Sequence, residues 1–456
     1  MTKNVVWRDG YDVLSKADFE NEKKNCIPPD FELSEMAFKH NAPFTETLWH
    51  NHYNKNENNV REYTLPQFKS ATVEEWEKTE RPEILQQYKD ILFGKMPPAP
   101  DRMELELLSL RDDALDGLAV RKEIRIHCLM NDGGKFNYDM LLYVPKNVDV
   151  PPPVFVGLNF YGNQFNTPEM DVRNTRGRRL NPQREFVLQT GRGEKLDAWN
   201  FKEAMKRGYA VATACYGEIA PDCMTGIKVS PFALFYDEND LRMDFEVPFA
   251  EARGGKWRRP VSIIGAWAWG LCRMLDALET EKLVDAERAV VLGHSRLGKT
   301  ALWAGACDER FKIVISNNSG CGGAALYRRN FGESIFHSFF EQRGWYCGGL
   351  APYVLDVDKL PFDQHMLLAL IAPRTLCVAS ATEDLNADPD GEYLATCEAS
   401  KIWKLYGLND VVQQKPAPDS WNGTNVCYSL RVGKHAITAK DWECYYALAD
   451  RVFGSK

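Results

Sequence analysis

Long apolar runs are missing from this 456-residue chain. None approaches the roughly 18 residues that a membrane helix needs, so no membrane partner is expected. A basic excess is missing too: 56 Lys and Arg stand against 64 Asp and Glu, a net charge of -8. That balance lacks the footprint of a nucleic-acid binder and favours solubility without naming a partner. Twelve cysteines occur without any CxxC pair, so no zinc-ligand spacing is found and no metal is expected. Cys215, Cys272 and Cys377 fall in apolar segments, as thiols used as small core residues do in a reducing compartment. The first ten residues lack the apolar core of a signal peptide. A cytoplasmic chain is therefore expected, or a secreted or periplasmic one if a leader had been removed. Internal repeats and low-complexity segments are absent.

At 44% hydrophobic residues the chain can bury a large core. Residues 1–75 are polar and irregular, with an Asn-rich stretch at 51–59. They read as an extension wrapping a catalytic domain at 76–456. Thr72 opens a helix with acidic residues in its first turn, and Pro82 starts a second one that ends near Gly94. Strands at 119–130 and 138–144 flank the turn Asn131-Asp132-Gly133-Gly134 as an antiparallel pair. From Val154 on, strands at 154–158, 209–215, 288–293, 311–316 and 374–380 alternate with helices at 199–207, 261–280, 297–306, 392–405 and 439–453. Such alternation predicts a mostly parallel sheet with helices on both faces.

The most informative run is Gly293-His294-Ser295-Arg296-Leu297-Gly298-Lys299, between an apolar strand and a helix. Strand, sharp turn with serine at its apex, helix: an α/β-hydrolase presents its nucleophile this way. The fold expected is accordingly a three-layer αβα sandwich with a mostly parallel central sheet. The usual motif has glycine two residues after the serine, whereas here it comes at Gly298.

A serine needs a base, and in this fold the order is Ser, then acid, then His. Of eight histidines, only His435 follows the acidic run Ala381-Thr382-Glu383-Asp384. That run ends a buried strand, where catalytic acids of such sheets sit. Asp384 is the expected acid, with Glu383 as the alternative. Acidic and amide residues at 384–390 imitate a calcium loop, but Pro389 or Cys397 occupies a required position in each frame.

The string Gly293–Ala301 resembles the bacterial glucuronoyl esterases, carbohydrate esterase family fifteen. So do Leu158-Asn159-Phe160-Tyr161-Gly162-Asn163, Asn318-Ser319-Gly320-Cys321-Gly322-Gly323, Leu360-Pro361-Phe362-Asp363-Gln364-His365 and Gly433-Lys434-His435. The likeness runs over about residues 74–453. It implies a serine esterase acting, without cofactor, on esters of (4-O-methyl)glucuronate such as those joining lignin alcohols to xylan. It assigns Ser295 as nucleophile, His435 as base and Asp384 as acid. Arg296 becomes an oxyanion donor, and Lys299 and Glu333 become sugar ligands. Two departures stand out. Asn318 occupies a position where some members carry the triad glutamate, and an amide cannot be the anion. Asn386 stands where many members have a sugar-stacking tryptophan, which leaves Trp345 or Trp421 to supply that platform. The alternative is another carbohydrate esterase on the same scaffold, such as an acetyl-xylan deacetylase.

Overall fold

The apolar runs predicted as parallel strands stand side by side in one ten-stranded sheet of the computed structural model. The structure describes residues 54–454 except 181–185, 189, 238–240, 242–259, 343 and 355. Its strands are β1 (Arg102–Asp113), β2 (Ala119–Leu129), β3 (Lys135–Pro145), β4 (Pro153–Asn159), β5 (Arg178–Leu180), β6 (Phe186–Leu188), β7 (Ala210–Cys215), β8 (Asp285–His294), β9 (Phe311–Asn317), β10 (Thr375–Ala381), β11 (Ser420–Asn422) and β12 (Val426–Arg431). The large sheet runs β1-β2-β3-β7-β4-β8-β9-β10-β12-β11, and β5 and β6 form a separate hairpin. From β7 through β12 the neighbours are parallel, with antiparallel strands added at both edges.

Strands β4, β7, β10 and β12 are buried at every residue. This is the mark of a sheet covered on both faces, and it explains why β4, β7 and β10 read as apolar runs. One face carries the helices Ile263–Glu279, Arg296–Cys307 and Pro389–Leu405, with Trp267, Trp303 and Trp403 fully buried. The other carries Phe201–Lys206 and Ala439–Phe453, with Trp442 at its centre. The three-layer αβα sandwich follows directly.

Differences from the sequence reading concentrate at the edges. β1 was not foreseen: its leucines alternate with charged residues, and Leu107 remains 55% exposed. The short β11 and β12 were also missed. The helix expected from 392 begins at Pro389, because the Asp388 carboxylate caps it through Gly391 N–H at 2.9 Å.

The Thr72 capping box is present, with the Thr72 hydroxyl and Glu75 carboxylate exchanging backbone N–H bonds. Upstream, residues 1–53 lie outside the described residues. Residues 54–71 lie along the body. Gly332 N–H donates to Asn54 O at 2.6 Å, His365 Nε2 bonds Pro66 O at 2.9 Å, and Glu80 accepts from the Lys69 and Ser70 N–H groups.

Three cysteines that are far apart in sequence converge between the sheet and the last helix. Cys377 and Cys427 are register partners on β10 and β12. With Cys444 they place three buried sulfurs within 4.8 Å of one another, the one such group of potential metal ligands among the described residues.

Candidate active site

Ser295 stands between β8 and the helix Arg296–Cys307 with φ 59° and ψ -131°. A non-glycine residue held there is strained, and such strain collects at functional turns. Local bonds enforce it. Ser295 N–H donates to Asn317 O at 2.8 Å, and Ser295 O accepts from Gly298 N–H at 2.8 Å. The displaced glycine also has a reason. A Cβ on Gly298 would meet Ser319 Cβ at 3.0 Å and Gly293 O at 3.1 Å, so the helix rests directly on β9 and the turn. At Gly293 a Cβ would lie 1.9 Å from Leu297 O and 2.3 Å from its carbonyl carbon. Backbone cannot yield as a flexible side chain can. Gly293→Ala is therefore expected to shift the serine and cost about 10²-fold in kcat, the usual effect of an ångström-scale misplacement. Wild-type kcat in a folded variant would show that the elbow tolerates the methyl group.

His435 is exposed on the loop after β12, and its Nδ1 lies 2.5 Å from Asp384 Oδ2. Asp384, buried at the end of β10, also accepts from Asn318 Nδ2 at 2.9 Å. Burial alone would raise its pKa, but the His435 and Asn318 bonds outweigh burial and hold it below the usual carboxylate range. Asn318 thus gives a donor to Asp384, where a second carboxylate would repel it. Glu383, the alternative acid, is exposed. The calcium-like carboxylates are spent separately: Asp384 on His435, Asp388 on Arg329 and Asp390 on Lys415.

Arg296 is pinned by an ion pair with Asp222, and its guanidinium lies 4.8 Å from the Trp345 ring centre and 5.8 Å from that of Phe160. Burial opposes its charge, but Asp222 more than compensates and raises its pKa. Its Nε–H is buried without a protein acceptor, a donor left over in the site. Lys299 is buried, 3.7 Å from Glu333 and 5.0 Å from the Trp345 ring centre. Trp345 is itself only 4% exposed, and its Nε1–H donates to Asp222 at 2.7 Å. It therefore lies under the two cations as their support. Trp421 is partly exposed on β11, opposite Ser429.

A cavity of about 510 Å³ opens beside Ser295, lined by His294, Arg296 and His435 together with Phe160, Tyr161 and Trp199. Lys299, Glu333 and Trp345 are not among its lining residues. The site thus has two sides that meet at Ser295 and Arg296.

Several supports were not read from the sequence. Arg431 donates to Asp441 Oδ2, Val432 O, Lys434 O and Ala436 O at 2.9–3.0 Å, shaping the loop that carries His435. Glu392 is buried and accepts from Ser380 Oγ, Ser319 Oγ and Gly320 N–H, bracing the Asn318 segment. Burial pushes its carboxyl up to about 8. Asp222 gave no local signal: it lies 74 residues from Arg296.

Comparison with known proteins places this geometry. The family model described as glucuronyl esterase, fungi, matches residues 257–407. A carbohydrate esterase from an unknown prokaryotic organism is 36% identical over 417 residues, covering 87% of this chain and 91% of that protein. Among solved structures, a glucuronoyl esterase from Solibacter usitatus superposes with a TM-score of 0.79 at 35% identity, covering 88% of this chain and 100% of the other. A promiscuous esterase of family 15 from a marine bacterial metagenome gives 0.76 at 35% identity, covering 87% and 99%. With an elbow serine, a histidine–carboxylate pair and relatives alike over nearly their whole length, the chain belongs to carbohydrate esterase family 15, the glucuronoyl esterases, and is a carboxylic ester hydrolase.

Proposed function

We propose that this enzyme hydrolyses esters of glucuronic acid, 4-O-methylated or not, through an acyl-enzyme on Ser295. The observation that carries the reading is the 2.5 Å bond from His435 Nδ1 to Asp384. It leaves Nε2 as the nitrogen available to the elbow serine. Ser295 Oγ attacks the ester carbonyl while Nε2 takes its proton, and Asp384 holds the tautomer and stabilises the imidazolium that forms. The oxyanion meets the leftover Arg296 Nε–H and the unpaired N–H groups that begin the helix Arg296–Cys307. A fixed donor there is worth about 3–4 kcal/mol in comparable sites. His435 then protonates the departing alcohol, and water returns by the same path to release the acid.

Lys299 and Glu333, beside Arg296, suit the hydroxyls of the sugar acid. Lys299→Ala is expected to raise KM for benzyl glucuronate about tenfold, as loss of one charged hydrogen bond does. Its turnover of 4-nitrophenyl acetate should remain as in wild type. Equal losses on both substrates would remove Lys299 from sugar binding. Asn386, exposed where a stacking tryptophan is usual, favours a second reading as a broader carbohydrate esterase. Wild-type preference for the acetate over the glucuronate would select it.

A further inference from the structure

His294 precedes the nucleophile, yet the chemistry above leaves it idle. Its ring centre lies 4.5 Å from that of His435, with the planes inclined at 41°. Phe160 meets it edge-on at 6.1 Å. Its Nδ1 lies 2.6 Å from Asn317 Oδ1. Both hydrogens of Asn317 Nδ2 are already committed, to Asp441 Oδ1 at 3.2 Å and to Tyr445 OH at 2.9 Å. Asp441, paired with Arg431, can only accept, which fixes the orientation of the amide. Asn317 Oδ1 must therefore accept, and the proton of His294 resides on Nδ1. Burial, and then the neighbouring His435, push its pKa down to about 3, so the ring is neutral where the enzyme would work.

Among the described residues His435 is hydrogen-bonded by its side chain to Asp384 alone, and 44% of that side chain is exposed. One hydrogen bond leaves a ring free to turn about it. We propose that His294 is a positioning residue for the base: a neutral ring, locked by Asn317, that keeps His435 facing Ser295 and shields one face from water. The inference rests on His435 being the base. The charged and titratable groups around the pair are Asp384 at the end of β10, Arg431 on β12, and Asp441 and Tyr445 on the last helix. All but His435 itself would keep their charge in a His294 variant. A neutral neighbour does not oppose the imidazolium formed during attack, as a cation would. Water admitted in its place would solvate that imidazolium.

The test is the pH dependence of kcat/KM for a glucuronate ester in His294→Ala, His294→Gln and His294→Phe of the full chain. In the alanine and glutamine variants kcat should fall about 10- to 100-fold with KM little changed, and the acid limb should move to higher pH by about half a unit or more. Phenylalanine, which keeps a water-excluding ring, should retain the wild-type limb. Profiles that overlie wild type in alanine or glutamine, or a limb moved equally by phenylalanine, would overturn the proposal. If the alanine variant does not fold, glutamine and phenylalanine decide it. His435→Ala is measured alongside. Activity in that variant would remove the base assignment itself, whereas an inactive His435→Ala with unaltered His294 profiles removes only the role of His294.

Discussion

Ser295→Ala is expected to lower kcat on a glucuronate ester about 10⁶-fold, and Asp384→Asn about 10⁴-fold. The first removes the hydroxyl proposed to attack the ester. The second keeps the shape of the acid but reverses its role. Asp384 Oδ2 accepts from both His435 Nδ1 and Asn318 Nδ2. An asparagine that turns its amide toward His435 must face a donor with a donor, which favours the wrong imidazole tautomer. The two effects should not add, because the serine and the acid act as one unit. A Ser295→Ala/Asp384→Asn double variant should therefore be no slower than Ser295→Ala alone. Steady-state kcat for the three proteins is the measurement. A double variant that loses the product of the two factors would break the unit apart. Because Asp384 is held below the usual carboxylate range, it stays ionised as pH falls through the imidazole range. The acid limb of the rate profile should accordingly not report Asp384.

Arg431→Ala is the second large effect, and it acts through architecture. The side chain is 7% exposed and faces the buried Asp441 carboxylate, while its other donors close on the Val432, Lys434 and Ala436 carbonyls. Truncation leaves Asp441 without its cation in a buried place, which typically costs 3–5 kcal/mol. It also releases the loop that carries His435. The expected result is a loss of about that size in denaturant unfolding, together with a fall in kcat of about 10²-fold or more in the folded protein. Arg431→Lys keeps the charge but not the fork of donors, so it should recover stability more than turnover. A variant with unchanged kcat would show that the His435 loop holds its own shape.

The triad candidates were legible because their signals are local and ordered. A strand, a tight turn with glycines and a helix mark Ser295. An apolar strand ending in acids marks Asp384, and the chain order leaves His435 alone among eight histidines. The parallel strands β4, β7, β8, β9 and β10 were legible for a related reason, since burial on both faces demands apolar runs. β1 escaped because an exposed edge strand has no such demand on it. Its Leu105 and Leu107 alternate with glutamates and remain partly in solvent.

Trp345 marks where sequence reading ends. Its residue type suggested a sugar platform, whereas its surroundings make it the support beneath Arg296 and Lys299. The sequence by itself determined the fold class, the serine elbow and the chain order Ser295, Asp384, His435 of the triad candidates, because each is written in a short run or in chain order. Only the tertiary structure set Asp384 rather than Glu383 beside His435, paired Arg296 with Asp222 and laid His294 against His435. Those choices depend on distances between segments 50 or more residues apart, and burial makes them matter: in a dry site each unpaired donor or charge is costly, so the fold selects the partners that the linear chain cannot name.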